Sequence, residues 1–204
     1  MTITTGYCTL AEARDQLGLV STDTGEDTPI EKVVEAVSRE IDKYTGQFFY
    51  DAGAQTRYFT CRDGTIVYTD PIQTVTSIYS DSNDDGTYDD EWATTGSTRR
   101  YRLRPVNNVK ETGTPPYWQV YAVKDSFPVA DAAVKISASF GWSSIPEAVN
   151  QACLIQTARI FVRRMAPFGI VEGQDAGMMS LRKGLDVDVR LLLDAFRRPM
   201  IWVA

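Results

Sequence analysis

The chain has 204 residues, 43% hydrophobic and 24% charged, the composition of an ordinary globular protein with enough length to bury one large core or two small ones. Nothing approaches the roughly 20 consecutive apolar residues of a membrane span, and the start MTITTGYCTLAEARD lacks the basic and apolar segments of a secretory signal, so a protein made in the cytoplasm and without a membrane is expected. A net charge of −6 argues against wrapping DNA, and the count of zero histidines removes Ser-His-Asp, Cys-His and most zinc or iron chemistry.

The predicted elements begin with a short helix, about Leu10 to Leu17. Thr9-x-x-Glu12 can form a capping box at its start and Gly18 can end it. A second box, Thr28-x-x-Glu31, is expected to open a longer helix. Pro29 suits its first turn, Ile30, Val33, Val34, Val37, Ile41 and Tyr44 recur at helical spacing, and Gly46 supplies the stop. From about Gln55 to Trp142 the period falls to two. Arg57 to Thr60, Val75 to Tyr79, Tyr117 to Val123 and the alternation Val134, Ile136, Ala138, Phe140 read as strands. The stretches Cys61 to Gly64, Asp81 to Gly86 and Thr112 to Pro116 read as turns and favour antiparallel pairing. Trp92, Trp118 and Trp142 are expected to pack this β region.

A third box, Ser144-x-x-Glu147, opens a helix from about Pro146 to Met165 whose apolar residues, Val149, Ala152 to Ile155, Ala158 and Ile160 to Val162, cover most of its circumference. Such a helix either lies at the centre of its own core or packs on a neighbouring subunit as well. Arg159, Arg163 and Arg164 crowd its C-terminal end, where cations suit the helix dipole. A long loop with several glycines follows, then a last helix from about Val187 to Arg197 with Val189, Leu192, Leu193 and Phe196 on one face, stopping before Pro199. The expected fold class is α+β: a bundle of about four helices with an antiparallel β region inserted between the second and third. The expected divisions are 1–50, 51–143 and 144–204, the first and last together completing the bundle. Basic residues exceed acidic ones only in the last of these, eight against six from residue 146 onward.

Three motifs bear on chemistry. Cys8, Cys61 and Cys153 are far apart and odd in number, which points to free thiols and away from a disulfide framework or zinc. GxSxG, GxGxxG and GxxxxGK[ST] are all missing, so no cofactor is expected and an enzyme is disfavoured. Asp81-x-Asn83-x-Asp85-Gly86 has the spacing of half an EF-hand calcium loop, but the twelfth position is Trp92 and not Glu. The turn reading, with Asp and Asn serving a solvated hairpin tip, is preferred there.

The run Phe140-Gly141-Trp142-Ser143-Ser144-Ile145-Pro146-Glu147-Ala148-Val149-Asn150-Gln151-Ala152, the apolar helix ending Arg163-Arg164, and Pro167-Phe168-Gly169 resemble the head-to-tail connector (adaptor) proteins of tailed bacteriophages. The closing Asp188-Val189-Arg190-Leu191-Leu192-Leu193-Asp194-Ala195-Phe196-Arg197-Arg198, Leu10-Ala11-Glu12-Ala13 and the Val33-to-Gly46 helix are similar too, in the family's order and over about half the chain. The resemblance implies a virion protein forming a homo-oligomeric ring, usually of twelve copies, under the portal protein. Such a ring extends the DNA channel, lets the genome pass without specific binding, and docks a head-closure or tail-tube protein. The long β region departs from the smallest members, which are almost wholly helical.

Interface residues toward the portal or a neighbouring subunit are expected at the C-terminal end: Arg159, Arg163, Arg164, Phe168, Leu192, Phe196, Arg197, Arg198, Ile201 and Trp202. The alternative for the tail is docking on its own core. The competing functions are a calcium- or carbohydrate-binding β module with helical flanks and a carboxylate-based hydrolase.

Overall fold

The computed structural model describes residues 3–19, 24–93, 99–107, 116–165 and 184–198, with 164 and 165 described only as helix. Among them the chain forms four helices and a six-stranded antiparallel sheet inserted between the second and third, an α+β fold. It divides into two compact units, Met1–Tyr50 with Ile145–Ala204, and Asp51–Ser144.

In the helical unit, α1 (Leu10–Leu17) begins with the predicted box: the Thr9 hydroxyl accepts from the Glu12 N–H at 3.2 Å, and the Glu12 carboxylate accepts from the Thr9 N–H at 2.7 Å. It ends at Gly18 with φ +67°, a left-handed conformation glycine enters without steric cost. Helix α2 (Asp27–Thr45) buries Ile30, Val34, Val37 and Ile41, the face the spacing predicts, and stops at Gly46. Its start corrects the expectation. Thr28 is the second helical residue and is exposed, and no side chain caps the end at Glu26. Pro29, with φ already helical, sits in the first turn ahead of the intrahelical N–H bonds, so the helix can begin two residues before it. There Asp27 meets Arg14 of α1 in an ion pair.

Helix α3 (Glu147–Met165) buries Val149, Ala152, Cys153, Leu154, Gln156, Thr157 and Phe161. It packs against α1, α2 and the last helix, which accounts for most of its wide apolar surface. The Pro146 carbonyl is its first acceptor, from Asn150 at 3.0 Å, so Ser144 lies too early to hold the cap position expected of it. Helix α4 (Val187–Asp194) is three residues shorter than predicted. Phe196 and Arg197 donate to Leu193 and Asp194 in tight three-residue turns, and the Arg198 N–H goes to the Thr45 carbonyl at 2.9 Å instead of continuing the helix.

The β unit contains β1 (Asp51–Phe59), β2 (Ile66–Ser80), β3 (Asp90–Glu91), β4 (Tyr101–Arg104), β5 (Tyr117–Ala122) and β6 (Val134–Gly141). The order is β1-β6-β2-β5-β4, with β3 added to the far end of β2. The 15-residue β2 therefore pairs with β5 through residues 66–72 and with β6 through 72–80, with register shifts where it bends. The predicted alternation on β6 holds, Val134, Ile136, Ala138 and Phe140 all facing the core. Trp92 closes that core, stacked on Phe127 at 3.8 Å, its indole N–H donating to the Ser80 hydroxyl at 2.9 Å. Trp118 and Trp142 are half-buried. Of the predicted turns, 61–64 and 81–86 are loops, and Thr112 to Pro115 lie outside the described residues.

Candidate functional site

The expected interface residues gather around α4. Arg159, exposed on α3, reaches the Asp186 carboxylate and lies 3.5 Å from that of Asp188. Asp186 also caps α4 by accepting from the Asp188 N–H at 3.1 Å, and its own N–H donates to the Gln156 side-chain amide oxygen at 3.2 Å. One carboxylate thus serves both the helix start and the ion pair that ties α4 to α3. Arg163 is half-buried on the same helix.

Along α4, Val189 and Leu193 are fully buried and Leu192 is half-buried, while Val187 and Leu191, one turn apart, are 48% and 68% exposed. Three successive leucines are spaced 100° apart on a helix, so one of them must face out, and that one is Leu191. The exposed apolar residues here are Leu191, Val187 and Val162 of α3, none of them among the expected interface residues, whereas the expected Leu192 is half-buried.

The residues after α4 turn back onto the end of α2. Phe196 sets its ring edge-on to Phe49 at 5.6 Å, and Phe49 does the same to Tyr7 at 5.5 Å. The Gln47 amide donates to the Phe196 carbonyl at 2.6 Å, Arg197 lies over the Tyr44 ring at 5.1 Å, and the Tyr44 hydroxyl donates to Asp194 at 2.7 Å. Phe196 and the backbone of Arg198 are therefore engaged within the chain. The side chain of Arg164, and all of Phe168, Ile201 and Trp202, lie outside the described residues.

Beneath this clamp Tyr7 is fully buried. Its hydroxyl accepts from the Phe49 N–H at 2.9 Å and donates to Asp42. Burial, then the Asp42 hydrogen bond, push the phenol up; burial also raises Asp42 above the usual carboxylate range, against the lowering pull of Tyr7 and Arg39. The three cysteines are buried and unlinked, with the Cys8 and Cys153 sulfurs 3.4 Å apart. The hydrogen bond to Cys153, then burial, drive the Cys8 thiol up, the opposite of an activated nucleophile.

In the turn after β2, Asp81 is buried. Its two carboxylate oxygens accept the N–H groups of Asp85, at 3.2 Å, and Gly86, at 2.7 Å. Asp85 accepts from the Thr87 N–H at 2.7 Å, which holds its carboxyl below the usual range, and from the Asn83 amide at 2.8 Å. Asp81, Asn83 and Asp85 spend their polar groups on the shape of the turn. Among the described residues no group of three or more His, Cys, Asp or Glu could hold a metal.

No family model matches the chain, and no curated protein matches it. Solved structures share its fold. A chain of the neck of an empty gene transfer agent particle, computed with C6 symmetry, is 20% identical with a TM-score of 0.57, the match covering 100% of this chain and 96% of that one. A chain of the virion of the native gene transfer agent particle is 20% identical with a TM-score of 0.50, covering 96% and 91%.

Proposed function

We propose that this protein is a structural, non-enzymatic component of a phage-like virion: a head-to-tail adaptor that forms a ring below the portal protein. The ring extends the DNA channel and docks a head-closure or tail-tube protein, and the genome passes through its lumen without specific contacts. The observation carrying this reading is the shared fold with a neck chain over 100% of the sequence, the β insertion included. Conservation of a whole two-part fold at 20% identity fits a protein whose work is assembly, because interfaces need shape over a large area and not a few fixed catalytic atoms.

In this reading the C-terminal end is the docking side. Arg163, Arg164, Phe168, Arg197, Arg198, Ile201 and Trp202 face the portal or a neighbouring copy, joined by Leu192 and by exposed Val162, Val187 and Leu191 around the Arg159 ion pairs. Phe196 anchors that side to Gln47 and Phe49, just after α2. A ring of twelve copies is compatible with the six-fold symmetry applied to the neck match. Host cells carrying a deletion of the protein should yield filled or leaking heads without tails, assembled up to the portal in the cytoplasm. Normally tailed particles from that deletion overturn the proposal, as does a native mass of head-bound protein that is no multiple of six.

A further inference from the structure

The β unit carries a cationic row and an acidic turn that do not meet their counter-charges in the described chain. On β4, Arg102 and Arg104 alternate and so leave the same face of the sheet. The register sets Arg102 opposite Tyr121, itself opposite Ile66, and Arg104 opposite Gln119, itself opposite Tyr68. The intervening Leu103 packs against the core, its partners Val120 and Val67 are buried, and so is Tyr101 before Arg102, so this face turns away from the core. Arg102 is exposed, Tyr68 is 43% exposed, and the Arg104 guanidinium lies over the Tyr121 ring at 3.8 Å. Stacked this way, a guanidinium keeps its N–H edge free for a carboxylate. Arg14, Arg39, Arg57, Arg100 and Arg159 each meet an aspartate, whereas Arg102 and Arg104 meet no carboxylate among the described residues.

The opposite charge stands on the turn between β2 and β3 and on β3 itself. Asp81, Asp85 and Asp90 are engaged by backbone N–H groups or Arg100, but Asp84, Asp89 and Glu91 are exposed and their carboxylates have no ion pair among the described residues. The cationic row is in register with residues 66 and 68 of β2, while the acidic turn leaves the strand after residue 80.

We infer that these are the two halves of one contact between copies of this chain, the acidic turn of one copy seated on the Arg102, Arg104 and Tyr121 face of the next. Two different patches meeting head to tail make a heterologous interface, the kind that closes into a ring. The inference rests on the adaptor reading and gives the β insertion its role. Nucleic acid is the weaker occupant: two arginines release about two counterions, in a unit where acidic residues outnumber basic ones, whereas Asp84, Asp89 and Glu91, without an ion pair among the described residues, are present at every copy.

The test uses the full chain on purified portal-bearing heads, with sedimentation of the free protein at low and high salt. R102E/R104E and D84K/D89K/E91K should each reduce ring formation by about tenfold or more. Mixing the two variants, which lets reversed and native patches alternate around a ring, or combining all five changes in one chain, should restore it; recovery also proves that the variants fold. Either variant assembling like the wild type, or no recovery in the mixture and the combined chain, overturns the inference and leaves the adaptor reading standing. Loss of binding to a short DNA duplex by R102E/R104E with assembly intact overturns it in favour of nucleic acid. Wild-type protein that never joins heads defeats the adaptor reading itself.

Discussion

Replacing Tyr7 by Phe keeps the ring that packs on Phe49 and deletes one oxygen, so it opens no cavity and isolates two hydrogen bonds. The first loss is the acceptor of the Phe49 N–H, a donor in a side-chain environment with 0% exposure and thus far from water. A buried donor left without a partner costs about 1–3 kcal/mol. The second is the bond to Asp42, whose half-buried carboxylate can recover part of its solvation, which places that loss near the lower end of about 1.5–3 kcal/mol. The sum expected is about 2.5–4.5 kcal/mol. For a chain of this length, at roughly 2–4 °C per kcal/mol, the melting point should fall by roughly 5–18 °C. Helical ellipticity followed through thermal and urea unfolding measures it, because Tyr7 lies in the unit that holds all four helices. Tyr7→Leu gives a comparison that adds lost ring packing. A fall below about 0.5 kcal/mol for Tyr7→Phe refutes the reasoning, since ordinary surface substitutions do no more than that.

Three further outcomes are expected. The raised Asp42 means that the folded state holds this proton more tightly than the unfolded chain, so the group's contribution to stability is present at low pH and is lost as pH rises from the unfolded carboxylate value through the folded one. Asp42→Asn should therefore gain on the wild type as pH rises through that window in paired urea titrations; a gap that does not change with pH contradicts the assignment. Asp81→Ala leaves the Asp85 and Gly86 N–H groups without their acceptor and should cost about 1–3 kcal/mol whether or not calcium is added; a saturable calcium-dependent rise in melting temperature of the wild type that this variant abolishes restores the calcium reading. Truncation after Arg198 should leave the free protein's melting temperature unchanged and abolish attachment to portal-bearing heads, and the reverse result assigns the tail to the core.

What the sequence determined by itself is what acts over a few residues. The Thr9–Glu12 box, the stops at Gly18 and Gly46, the buried stripe of α2 and the alternation of β6 follow from hydrogen bonds and side-chain periods that span one turn or one pleat. The Asp81 turn was legible for the same reason: Asp and Asn close on backbone groups a few positions away. Failures begin where a residue's partner is distant in the chain. Thr28 has the composition of a cap, yet α2 starts ahead of it beside Arg14 of another helix. Leu191, Leu192 and Leu193 are identical in propensity, and the placement of α4 against α3 decides which is buried and which is exposed. Phe196 looks like a continuing helical residue until Phe49 and Gln47 receive it, about 150 positions earlier in the sequence. The row of Arg102 and Arg104 with Tyr121 and Tyr68 exists only through the pairing of three strands. Periodicity says which residues share a face of one element; only tertiary packing says what that face meets, because the free energy of burial and ion pairing belongs to the pair and not to either residue.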